Sequence, residues 1–108
     1  MHKDDFTYIE HILECIKKII IFCRGVDQAG FESDILLQDA VIRNIEVIGE
    51  AAKKVSENFK EKTNQIPWRD MAAMRDKLIH DYLGVDIQVV WKTVTIDIPV
   101  LEKLLRDL

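Results

Sequence analysis

Apolar residues recur at intervals of three and four along most of the chain, which is the spacing of a buried helix face. The first such stretch runs from about Asp4 to Cys23 and carries two apolar stripes. The first stripe consists of Phe6, Ile9, Leu13, Ile16, Ile20 and Cys23, and the second of Ile12, Cys15, Ile19 and Phe22. A helix with two apolar faces contacts two partners. Two neighbours within one bundle and a subunit interface explain the second stripe equally well.

A loop and a long helix are predicted next. Residues 24–33 contain two glycines and are typical of a loop. A second helix is predicted from about Asp34 to Phe59, because its apolar spacing of 4-4-3-4-3-4 is close to that of a bundle seam. Its stripe is Leu37, Val41, Ile45, Ile48, Ala52, Val55 and Phe59. The polar residues 60–66 then predict a connector.

Two further helices complete the pattern. One begins at Pro67 and closes at Gly84, a residue suited to the left-handed end of a helix. The last begins near Asp86, which can cap it. Its apolar spacing continues through Pro99, so we expect a helix that is kinked there or split into two short coaxial helices.

No stretch alternates apolar and polar residues as a strand would, so the sequence predicts an all-α fold. Four main helices with short connectors predict an antiparallel bundle of four to five helices. The 108 residues fit one domain, residues 1–108, and the 48% of apolar residues can form its core.

Charge and cysteine content narrow the functional classes. The net charge of −4 argues against a general nucleic-acid binder, although it leaves room for a small basic site. Cys15 and Cys23 are eight residues apart in one predicted helix, a separation of roughly 12 Å that is too long for a disulfide. The start of the chain has no signal-peptide pattern, and no apolar run approaches the roughly 20 residues that span a membrane. We therefore expect a cytoplasmic protein with reduced cysteines.

No metal or cofactor site is predicted. His11 and Cys15 are four residues apart, but no third or fourth ligand accompanies them. The acidic residues form no spaced pair of the kind that a two-metal nuclease requires.

The most unusual residues lie in the helix that begins at Pro67. Arg75 falls in the centre of its apolar stripe, which is Trp68, Met71, Ala72, Leu78, Ile79 and Tyr82. An unpaired guanidinium in such a place would cost several kcal/mol, on the order of other buried charges, so Arg75 needs a partner or a water-filled cleft. His80 suits proton transfer near neutral pH, and the planar fork of Arg75 suits a phosphate. For such a run on its own, a structural salt bridge and a hydrogen-bonded core tyrosine are the commoner interpretation.

The run Arg75-x4-His80-x-Tyr82 resembles the R-x4-H-x-Y signature of the HepT-like toxins of the HEPN ribonuclease superfamily. The flanking IPW and GVD, the later Trp91 and Pro99, and RNIEVIGEAAKKV over residues 43–55 are also similar to that family and together cover most of the chain. The resemblance implies a metal-independent RNA endonuclease with Arg75 and His80 as catalytic residues. It places Asn44 near the cleft, together with Asp76, where many members carry asparagine.

The resemblance also implies partners. The catalytic cleft of the superfamily lies between two protomers, so a homodimer is expected. A nucleotidyltransferase antitoxin of the MntA type would transfer AMP to the motif tyrosine, here Tyr82, and silence the toxin. Helix geometry agrees with a shared cleft: Arg75 and His80 point roughly 140° apart on a straight helix, whereas Tyr82 shares the face of Arg75.

Two alternatives stay open. The chain could be a non-catalytic, nucleotide- or partner-binding helical subunit of a nucleotidyltransferase complex, which the acidic net charge and Asp76 favour. It could also be a structural dimer with an inert motif, in which case changes of Arg75 and His80 would affect folding as much as function.

Overall fold

The computed structural model describes residues 3–81 and 83–108, and all regular secondary structure in these ranges is helical. This confirms the all-α prediction. The helices are α1 (Lys3–Phe22), α2 (Gln28–Glu32), α3 (Ile35–Lys54), α4 (Glu57–Lys62), α5 (Trp68–His80), α6 (Ile87–Lys92) and α7 (Ile98–Arg106), with a π-helical turn (Thr93–Asp97) between α6 and α7.

Helix α3 is the central element of the fold. It packs against both α1 and α5, while α7 contacts α1, and the short α2 contacts α3 and α6. The core therefore lies around α3, and its completely covered apolar side chains are Ile12, Ile16, Ile19, Phe31, Val41 and Ala52. None of the described helices has both the length and the apolar character needed to cross a bilayer.

Most residues of both apolar stripes of α1 pack within the chain. Ile12, Cys15 and Ile19 of the second stripe are buried alongside Ile9 and Ile16 of the first. Packing inside one bundle thus accounts for these three residues, which give no separate support to a subunit interface. The prediction that Phe6 and Phe22 are buried is wrong, because their side chains are 55% and 41% exposed. The homodimer stays a prediction.

Cys15 and Cys23 are both free thiols, as their separation in the sequence predicts. Burial raises the pKa of each thiol, so neither is an activated nucleophile.

The prediction of a loop over residues 24–33 is wrong for residues 28–32, because α2 forms there. Asp27 caps this helix by accepting a hydrogen bond from the Gly30 N–H at 2.8 Å. Phe31 is completely buried, with its ring 5.1 Å from that of Trp91. Burial of one aromatic ring against a distant helix therefore outweighs the loop tendency of the two glycines.

The single predicted helix from Asp34 to Phe59 is also wrong, because the chain breaks between α3 and α4. Val55 adopts an extended conformation and Ser56 caps α4. The carboxylate of Asp5, in α1, accepts hydrogen bonds from the backbone N–H and the hydroxyl of Ser56, each at 2.7 Å. Asp5 is only 2% exposed, so its charge requires donors, and a helix end supplies a free N–H where a helix interior does not.

The helix that begins after Pro67 ends earlier than predicted. It stops at His80, and Gly84 lies in the following turn, where its N–H donates to the Asp81 carbonyl at 2.7 Å. The expected left-handed conformation of Gly84 is wrong, since Gly25 is the glycine with a positive φ in the described ranges. Asp86 caps α6 as predicted, accepting from two backbone N–H groups.

The apolar phase of the last helix is kept through Pro99, as predicted. Val94, Ile98, Leu101 and Leu105 are all buried on one side. The π-helical turn ends directly before α7 and widens the backbone where the proline ring needs room. A kink or split at Pro99 itself stays a prediction.

Ser56→Ala tests the contact between α1 and the break after α3. The change removes the hydroxyl that binds Asp5 and caps α4, so we expect the free energy of unfolding to fall by about 1–3 kcal/mol. Urea denaturation measures the loss. Ser33→Ala is the matched control, because the exposed Ser33 hydroxyl donates to the Gly30 carbonyl within its own turn. Equal stability of the two variants would contradict the role given to Ser56.

Candidate functional site

The position of Arg75 depends on a close approach of α5 to α3 at Gly49. A Cβ atom on Gly49 would lie 2.1 Å from the Arg75 Cβ and 2.7 Å from the Met71 carbonyl oxygen. Neither neighbour is a flexible side-chain end, so only glycine permits this contact. The backbone of α5 therefore rests on α3, and Arg75 starts from that contact.

Two carboxylates bind the guanidinium of Arg75. Its Nη2 lies 2.9 Å from Glu50 Oε2 on α3, and its Nη1 lies 3.0 Å from Asp76 Oδ1. Lys53 also donates to Asp76, and the hydrogen bonds from Lys53 and then from Arg75 lower the pKa of the Asp76 carboxyl. The expectation that Arg75 requires partners or a cleft is confirmed, since it has both.

The cleft is a groove of about 360 Å³ between α1, α3 and α5, which we call the Arg75 groove. Helix α3 lines it with one face, at spacings of three and four residues. The lining residues are Tyr8 and His11 from α1, Arg43, Glu46, Val47, Glu50, Ala51 and Lys54 from α3, and Arg75 and Ile79 from α5. Cations, carboxylates, aromatic rings and aliphatic side chains thus share one surface.

His80 does not line the Arg75 groove. It is exposed, and it is the last residue of α5. Ile79, predicted to be buried, is instead 43% exposed at the groove, which corrects that part of the stripe. One copy of the chain therefore presents Arg75 and His80 on different sides of α5, in keeping with their predicted angular separation.

The other predicted site residues are placed differently. Asn44 is half-buried and donates its side-chain amide to the Ala40 carbonyl at 2.8 Å, outside the groove lining. Its neighbour Arg43 lines the groove instead. Asp76 contacts Arg75 directly, and Tyr82 lies outside the described residues.

Most of the groove was not predicted from the sequence. Arg43, Glu46 and Glu50 lie away from the apolar stripe of α3 and look like a solvated helix face, yet both glutamates are half-buried along the groove. Gly49 was the one signal in the sequence. An isolated glycine within a strong helical pattern costs about 1 kcal/mol relative to alanine, so it points to a packing role. Tyr8 and His11 carried no comparable signal.

The fold and the site together define a small helical protein with an arginine-centred groove. The model of the HepT-like ribonuclease family matches residues 12–108, and the chain belongs to this family. No solved structure matches the chain.

Individual relatives support the assignment. A probable ribonuclease HepT of Thermococcus cleftensis is 52% identical over 101 residues, which are 94% of this chain and 89% of that protein. A Caldanaerobacter subterraneus protein with a provisional RNase name is 41% identical over 94% of this chain and 90% of its own length. A Methanocaldococcus jannaschii protein, whose name joins a gamma-glutamylcyclotransferase to a provisional RNase, is 47% identical over 95% of this chain and 46% of its own length.

Gly49→Ala tests the contact that positions Arg75. The added methyl group must push α5 away from α3, and we expect a loss of about 1–3 kcal/mol in the free energy of unfolding. Gly84→Ala is the control, because nothing lies within 4 Å of a Cβ at that position. Urea denaturation compares the two variants. An unchanged Gly49→Ala midpoint would show that the two helices do not need this close approach.

Proposed function

We propose that the chain is an endoribonuclease that cleaves RNA without a metal ion. The proposal rests on one observation: the Arg75 side chain is 28% exposed and lines an open groove. Its carboxylate partners occupy positions that phosphate oxygens could take. The exposed His80 at the end of the same helix supplies a group for proton transfer, and membership of the HepT-like ribonuclease family supports the reaction class.

The reaction needs two proton transfers and one stabilised anion. A base removes the proton of the ribose 2′-hydroxyl, and that oxygen attacks the adjacent phosphorus. The bond to the 5′-oxygen breaks, and an acid protonates the leaving oxygen, giving a 2′,3′-cyclic phosphate and a 5′-hydroxyl end. His80 carries the proton, and Arg75 stabilises the phosphorane.

Two copies of the chain complete the site in this proposal. Because Arg75 and His80 lie on different sides of α5, one straight helix does not bring both to one phosphate. A homodimer that apposes two motifs would supply Arg75 from one protomer and His80 from its partner. It would also supply two imidazoles, one for each proton transfer.

A non-catalytic subunit is the second candidate. Glu50 and Asp76 already bind the guanidinium, so an RNA phosphate must displace them. A protein that only binds a nucleotidyltransferase would have no need to free Arg75. Cleavage of RNA by the purified chain in EDTA separates the two candidates.

Regulation by a nucleotidyltransferase partner completes the proposal. The Tyr82 hydroxyl would attack the α-phosphorus of ATP, lose its proton and release pyrophosphate, leaving AMP on the tyrosine. The added phosphate would compete with RNA for the donors of Arg75 and His80 and so silence the enzyme.

His80→Ala should reduce RNA cleavage by a factor of about 10²–10⁴, because it removes the proton-transfer group. Cleavage of a labelled RNA in EDTA measures the rate. Lys77→Ala is the control, since Lys77 is exposed on the same helix and forms an ion pair with Asp81. Cleavage by His80→Ala at the normal rate would contradict the mechanism.

The same cleavage assay, applied to mixtures of two variants, tests whether the cleft is shared between protomers. Arg75→Ala and His80→Ala, each nearly inactive alone, should regain part of the activity when they are mixed and allowed to exchange subunits. No recovery in mixtures that form heterodimers would argue that each protomer works with its own motif.

Tyr82→Phe should abolish AMP transfer while leaving the fold and part of the RNA cleavage intact. The chain has two tyrosines, so Tyr8→Phe is a matched control that should still be labelled. Intact mass spectrometry after incubation with the cognate nucleotidyltransferase and ATP counts the AMP units. Labelling of Tyr82→Phe at the wild-type level, or none on the wild-type chain, would make the binding-subunit candidate the better one.

A further inference from the structure

The Arg75 groove is longer than one phosphate requires. Its wall on α3 extends from Arg43 to Lys54, a separation of eleven positions that corresponds to roughly 16 Å along the helix axis. Arg75 reaches this wall at Glu50, between the two ends. The groove therefore has room for a ligand that continues beyond the scissile phosphate.

The cations at the two ends of the wall are available for a ligand. Within the described residues, neither Arg43 nor Lys54 forms an ion pair, in contrast to Arg75 and Lys53. Both line the groove and both are exposed. Together with Arg75 they favour an extended ligand with more than one negative charge.

Glu46 does not fit a surface that binds only phosphate. It is half-buried in the groove, one turn from Arg43, and no described residue pairs with it. A free carboxylate would repel a phosphate, but it would accept hydrogen bonds from neighbouring N–H groups of a ligand. A ligand that is complementary to the whole α3 wall carries anionic groups and a pair of N–H donors.

The opposite wall suits a flat ring. Tyr8 and His11 on α1 face the groove with aromatic side chains, and Val47, Ala51 and Ile79 add aliphatic contacts. Single-stranded RNA bases stack on such aromatic side chains and expose their Watson–Crick edges for hydrogen bonding. An anionic ligand with a flat base and exposed N–H donors is a nucleotide.

We propose that the Arg75 groove binds the nucleotide next to the scissile phosphate and that Glu46 selects guanine there. Guanine presents two adjacent donors, N1–H and the N2 amino group, which match the two oxygens of one carboxylate. Adenine and cytosine place an acceptor nitrogen beside their single amino group, and uracil flanks its one N–H with carbonyl groups. Each mismatch sets a lone pair against the carboxylate. This specificity rests on the proposed ribonuclease function.

Binding of short RNAs tests the subsite without requiring cleavage. The probes are dye-labelled uridine octamers with one central guanosine, adenosine, cytidine or uridine, measured by fluorescence anisotropy on His80→Ala protein. We expect the guanosine octamer to bind about tenfold more tightly than the others. In the double variant His80→Ala, Glu46→Gln, the preference for the guanosine octamer should fall to threefold or less, because the amide replaces one acceptor with a donor. Adding Glu61→Gln, an exposed change outside the groove, should leave it unchanged.

Mapping of cut sites on a mixed-sequence RNA separates this inference from the proposed function. Cleavage beside guanosine that becomes indiscriminate in Glu46→Gln supports both the guanine subsite and the ribonuclease function. Cleavage without base preference, or a guanosine preference that survives in Glu46→Gln, overturns the role of Glu46. Selective binding of the guanosine octamer without any cleavage would support the subsite and contradict the ribonuclease function.

Discussion

The contact between α5 and α3 at Gly49 is the constraint on which the candidate site depends. The Arg75 Cβ occupies the space that any larger residue at Gly49 would fill. A guanidinium on a long side chain is otherwise free to move, and each ordered rotamer costs conformational entropy. Fixing the first atoms of Arg75 between two helices lowers that cost, so the charged end can meet Glu50 on the neighbouring helix.

The Arg75 ion pairs are weak enough to position the guanidinium and still be replaced by a phosphate. The Arg75 and Glu50 side chains are 28% and 45% exposed. Ion pairs with this much solvent contact contribute about 0–1 kcal/mol, far less than a fully buried pair. A phosphate with charge-assisted hydrogen bonds to the same donors could replace Glu50 at modest cost. The carboxylates can therefore hold the guanidinium in place in an acidic protein without blocking a polyanionic ligand.

A second polar contact sets the opposite wall of the groove. The buried Asp5 binds Ser56 across 51 positions of sequence and so joins α1 to the break between α3 and α4. Since Asp5 and Tyr8 are on the same helix, this contact helps to fix where the Tyr8 ring faces α3. The groove thus depends on two contacts: the close approach of Arg75 to Gly49, and the hydrogen bonds of the buried Asp5 to Ser56.

The sequence by itself determined the helical faces and several of their ends. Spacing of apolar residues is a local property, and it correctly located α1, the start of α3 and the apolar phase through Pro99, while the residue type of Asp86 indicated its capping role. The need of Arg75 for a partner also followed from sequence, because a cation in an apolar stripe has few stable environments.

Only the tertiary structure decided how those faces meet. Helix α2 forms because Phe31 is buried against Trp91, and α3 ends because Asp5 requires a backbone donor from Ser56. The charged face of α3 looks like a solvated surface in sequence, and it becomes a groove wall because α1 and α5 pack on either side of it. These outcomes depend on pairs of residues far apart in the chain. Helical periodicity records which side of a helix is apolar, but it carries no information about the partner on that side.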